Sequence, residues 1–64
     1  MKTYIVTVPP TKDMGSYKTV ARGGALESLA QNALWYYNDA RAHDGLEPVR
    51  RMPVGTKYAA KVAP

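Results

Sequence analysis

Arg50 and Arg51 are adjacent, Lys57 and Lys61 follow them, and no acidic residue stands between or after them. Residues 1–47 carry balanced charge, so the whole net charge of +4 falls in residues 48–64. A guanidinium is a planar fork suited to bidentate pairing with a carboxylate or phosphate, and an ammonium adds a more diffuse field. Such a segment attracts an acidic protein surface or the phosphates of a nucleic acid. Four surface charges also serve simply to keep a small domain soluble. Trp35 and Tyr36 form the second candidate feature. With Leu26, Leu29, Ala30, Ala33, Tyr37 and Ala40 lining one helical stripe, 100° per residue sends Trp35 to the opposite side, with Leu34 and Tyr36 at the margins. An exposed Trp is an interface anchor, because Trp, Tyr and Arg dominate binding hot spots. The competing outcome is a covered Trp35, with the 9–15 loop or the C-terminal segment folded over it, or a helix that ends before it.

Catalytic chemistry has little to work with. His43 is the single histidine, and Asp44 beside it points elsewhere at a helix end. A nucleophile–base pair would need Ser16 or Ser28, and Ser28 lies on the same helix, roughly 22 Å away at about 1.5 Å per residue. With one His, no Cys and scattered carboxylates, no usual metal spacing occurs. Gly23-Gly24 lacks the third glycine of a dinucleotide loop and the lysine of a phosphate loop, and reads as a strand-to-helix turn. The expectation is a non-enzymatic binding protein with no cofactor and no metal.

These residues must be positioned by very few elements. The chain has 64 residues, near the size at which one core just suffices, and no cysteine to staple it. Tyr4, Val6 and Val8 alternate with Thr3, Ile5 and Thr7, which predicts a strand that Pro9-Pro10 ends. The polar 9–15 stretch serves as an open hairpin connection. Residues 16–22 alternate again, Tyr17, Thr19 and Ala21 against Lys18, Val20 and Arg22, with the buried face left open. A helix over 25–43 follows, with Gly24 as N-cap, Glu27 near the dipole's positive end, Arg41 and His43 in the last turn, and Gly45 as a left-handed stop. Residues 46–52 are expected as a strand carrying Arg50 and Arg51 on opposite faces, and Pro53-Val54-Gly55 as a turn. In residues 56–62, Tyr58, Ala60 and Val62 oppose Lys57, Ala59 and Lys61, suggesting a short fourth strand. The predicted fold is a single α+β domain over 1–64, two-layer β-β-α-β(-β), with one helix on a small, mostly antiparallel sheet.

Over most of its length, with gaps, the chain resembles the small host-RNA-polymerase inhibitors, the gene 2 products, of short-tailed coliphages. The matching residues are Ala25-Leu26-Glu27 at the helix start, Trp35 and Tyr37 near its end, Glu47, Arg50 and Pro53 after it, and a terminal Val62-Ala63-Pro64. That resemblance implies docking on an acidic surface of the largest subunit of bacterial RNA polymerase and a block to open-complex formation. It also implies two functional arginines one residue apart in the third strand. Arg50 takes the first place, Met52 stands in the second, and Arg51 is displaced by one. The expected partner is therefore an acidic protein surface, host RNA polymerase first, met by Arg50, Arg51, Lys57, Lys61, Trp35 and Tyr36. A monomer in the bacterial cytoplasm is expected, with no secretory segment and no membrane partner. The alternative is a small nucleic-acid-binding module contacting phosphates through the basic C-terminal segment. A third course, self-association through a free sheet edge, suits a structural role.

Overall fold

The first strand, β1 (Lys2–Val8), becomes the centre of the sheet in a computed structural model that describes residues 2–60. β2 (Tyr17–Gly23) returns antiparallel along one edge, pairing Tyr4 with Ala21 and Val6 with Thr19. After the helix α1 (Leu26–His43), β3 (Lys57–Ala60) adds antiparallel to the other edge, pairing Val6 with Tyr58 and giving the order β2-β1-β3. The fold is thus the expected α+β domain, one helix on one face of a three-stranded antiparallel sheet.

Alternation decides the faces. Val6, Val8 and Ala21 are fully buried under the helix, whereas Thr7, Lys18, Val20 and Arg22 are exposed on the other side. The face left open for β2 is therefore settled: Tyr17, Thr19 and Ala21 turn inward. From the helix, Leu29, Ala33 and Tyr37, spaced by four, complete the core. The Tyr37 ring meets Tyr17 edge-on with centroids 5.7 Å apart, and the Tyr17 hydroxyl donates to the Tyr36 carbonyl at 3.3 Å. Gly23 lets α1 approach β2 closely, since a Cβ there would stand 2.5 Å from the Leu29 backbone nitrogen.

The helix ends differ in part from expectation. The N-cap is Ala25 rather than Gly24, and Ser28 at the third helical position does the capping. Its hydroxyl accepts from the Ala25 N–H at 3.2 Å and donates to the Ala25 carbonyl at 3.0 Å. Glu27 sits in the first turn, as expected near the positive end of the dipole. The stop is as expected: Gly45 has φ +74°, and its N–H reaches the Ala42 carbonyl at 3.0 Å.

Residues 46–52 are not a strand. Helix side chains, in place of a neighbouring strand, bond the Val49 N–H and carbonyl and the Glu47 carbonyl. The Asn38 amide clamps Val49, accepting from its N–H at 2.9 Å and donating to its carbonyl at 3.0 Å. Arg41 Nε donates to the Glu47 carbonyl at 2.6 Å. The third strand is instead the one at 57–60, reached through a turn in which the Thr56 N–H and hydroxyl both bond the Pro53 carbonyl.

Arg41 is the hub of this arrangement. Only 5% exposed, it forks onto Asp13 at 3.3 and 3.1 Å, holds Glu47, and lies over the Tyr37 ring at 5.9 Å. One side chain thereby ties the β1–β2 loop and the 46–52 segment to the end of the helix. The Arg41 guanidinium holds the Asp13 carboxyl below its ordinary range, helped by the Thr11 hydroxyl at 2.9 Å.

Candidate partner-binding site

On the flank of α1 facing away from β2, Ala30, Leu34 and Asn38 recur every four residues, with Gln31 and Trp35 beside them. Opposite them stands Tyr58 of β3. The 46–52 segment, held by Asn38 and Arg41, closes the far end with Arg50, Arg51 and Met52. Between them lies an open cleft of about 600 Å³. None of the chain's five acidic residues lines it. Ala30, Leu34, Trp35, Met52 and Tyr58 give it an apolar and aromatic patch beside the amides of Gln31 and Asn38, and among the described residues its charge is that of two exposed arginines.

Trp35 is 63% exposed and meets Tyr36 edge-on at 5.1 Å. Among the described residues, neither the 9–15 loop nor the C-terminal segment covers it. Burial of an indole in a partner's pocket is strongly favourable, since aromatic side chains bury roughly 150–250 Å² each. Partial burial pushes the Tyr58 phenol above its ordinary value, because the ionised form loses hydration there.

The structure brings together three of the six residues expected to bind a partner: Trp35, Arg50 and Arg51. It does so by a route different from the expected one. Arg50 and Arg51 were expected on opposite faces of a strand, yet both line the same cleft from an irregular segment whose course Asn38 sets. Tyr36 is half exposed beside Trp35 but does not line the cleft. Lys57 is exposed on the far face of the sheet, opposite Thr7. Lys61 lies outside the described residues. The strand expected to carry Arg50 and Arg51 therefore does not form, and both arginines stand off the sheet.

Sequence reasoning passed over Leu34, Met52, Tyr58 and Asn38. The stripe pattern marked Leu34 only as marginal, and nothing local to Asn38 announces that its amide will clamp a backbone eleven residues ahead. His43, the one candidate general base, uses Nδ1–H to bond the Asp39 carbonyl at 2.9 Å at the exposed end of the helix. Among the described residues, no cluster of three potential metal ligands occurs, and no helix is long and apolar enough to cross a membrane.

Compared with known protein families, curated proteins and solved structures, the chain finds no significant match.

Proposed function

We propose that this is a non-enzymatic binding protein whose working surface is the Trp35–Arg50–Arg51 cleft. It docks that surface on an acidic face of a larger protein. Host bacterial RNA polymerase is the first partner to test, on the strength of the resemblance, with inhibition of transcription as the consequence. The observation that carries the reading is the juxtaposition itself: an exposed indole and two exposed guanidinia around an apolar patch, with no ion pair to either arginine and no carboxylate in the cleft among the described residues. In such a surface the indole supplies desolvated apolar area at the centre. The arginines supply orientation through charge-assisted hydrogen bonds at the rim.

The docking mode differs from one led by a strand. The arginines reach out from a segment fixed to the helix, so binding depends on that segment keeping its course. Purified RNA polymerase is the direct probe. Wild-type protein should bind it and lower promoter-dependent transcription. Arg50→Ala with Arg51→Ala should lose at least tenfold in affinity while circular dichroism stays unchanged, since each desolvated arginine contact contributes about 1–3 kcal/mol. Retention of affinity by the double variant would remove the cleft from the mechanism.

A further inference from the structure

Among the described residues, no element packs on the face of the sheet turned away from the helix. Lys18, Val20 and Arg22 of β2, Thr3, Ile5 and Thr7 of β1, and Lys57 and Ala59 of β3 share it. The ladder arranges them in rows. Thr7 pairs with Lys18 on one side and Lys57 on the other, Ile5 with Val20 and Ala59, and Thr3 with Arg22. No strand carries an acidic residue, and among the described residues none of these three cations joins an ion pair.

We propose that this outer face is a second binding surface, independent of the cleft, for the phosphate backbone of single-stranded nucleic acid. Register partners in an antiparallel ladder stand about 4.5–5.5 Å apart, so the Lys18 and Lys57 stems rise about 10 Å from each other with the Thr7 hydroxyl between them. Two flexible ammonium groups and a hydroxyl can converge on one phosphate there. Four residues along β1, about 13 Å at strand rise, Thr3 and Arg22 form a second seat. A strand laid along β1 places phosphates at both rows, with the intervening sugars and bases over Ile5, Ala59 and the 44% exposed Val20.

Two features favour nucleic acid over the other occupants. The face is built from cations and hydroxyls, the groups that hold phosphates, without a pocket to anchor a protein hot spot. A second copy would set the same cations against each other. Tyr4, Tyr17 and Tyr58 turn to the helix side, so no ring on this face stacks a base. Binding is accordingly sequence-independent, weak and strongly dependent on salt.

Fluorescence anisotropy of a labelled oligothymidylate tests this, with amide NMR to place the contact. The expected result is binding at low salt with a log–log slope of about −2 for three cations on a single strand. Amide shifts should fall on residues 3–7, 18–22 and 57–59, while the Trp35 indole signal stays unmoved. Lys18→Gln with Lys57→Gln should weaken binding and flatten the slope to about −0.7. Arg50→Ala with Arg51→Ala should leave it unchanged. The proposal is overturned by absence of binding at low salt, by equal affinity of the wild type and the Lys18→Gln, Lys57→Gln variant, or by loss of binding only in the Arg50/Arg51 variant.

Discussion

Asn38→Ala tests how the arginines are held. The amide makes two hydrogen bonds to Val49, at 2.9 and 3.0 Å, both partly shielded from water. At about 1 kcal/mol net for each bond, removing both should cost about 2 kcal/mol. A chain of this length has roughly 3–10 kcal/mol to lose, so the loss is a large fraction of the whole. It corresponds to a fall in Tm of about 8–16 °C, at about 4–8 °C per kcal/mol for a domain of this size. Asn38→Asp sharpens the test, because a carboxylate can still accept from the Val49 N–H but repels the Val49 carbonyl. It should be at least as destabilising as the alanine at neutral pH and should recover when the carboxyl is protonated. Urea unfolding gives the global loss, and amide exchange at Val49–Met52 gives the local one. Partner affinity should fall with them although Asn38 carries no charge. If unfolding and exchange at Val49–Met52 both match the wild type, the clamp does not position Arg50 and Arg51, and this account of the cleft fails.

Asp13→Asn should remove part of the acid sensitivity of folding. The native carboxyl lies below its ordinary 3.8 because Arg41 bonds it, so its contribution is complete above that value and is lost as pH falls through the native one. Acid titration of Tm checks this, and an identical acid limb in the variant would count against the pair. At the alkaline end, burial raises the Tyr58 phenol above its ordinary 10.0, so stability should fall as pH climbs through the native value. Tyr58→Phe should lack that fall. Gly23→Ala places a methyl against the Leu29 backbone and should cost about 1–3 kcal/mol, whereas Gly24→Ala meets nothing within 4 Å and should be close to neutral. Denaturant unfolding separates the two, and equal effects would contradict the close approach of α1 to β2.

Much of this architecture could be read from local pattern. Alternation marked β1 and grouped Tyr4, Val6 and Val8 on one face, the 3.6-residue period marked α1 and the outward heading of Trp35, and Gly45 marked the stop. What escaped depends on contacts between residues distant in sequence. Residues 46–52 were expected as a strand, yet Asn38 and Arg41 bond the Val49 and Glu47 backbone in place of a strand partner. The sequence places Arg41 only as a cation in the last turn of the helix. It is buried because Asp13 arrives from a loop 28 residues earlier to neutralise it. The cleft shares that origin. The residues Trp35, Arg50 and Arg51 were legible one by one, but the surface they make follows from the course of a segment that no local periodicity encodes.

The most direct test of the cleft as the working surface is fluorine NMR of protein carrying fluorotryptophan at its single tryptophan, Trp35, titrated with purified bacterial RNA polymerase. The expected result is a Trp35 resonance that shifts and broadens as the complex forms, and that stays sharp for the Arg50→Ala, Arg51→Ala variant. A resonance that remains sharp and unshifted with polymerase in excess would contradict the docking of this cleft on that enzyme.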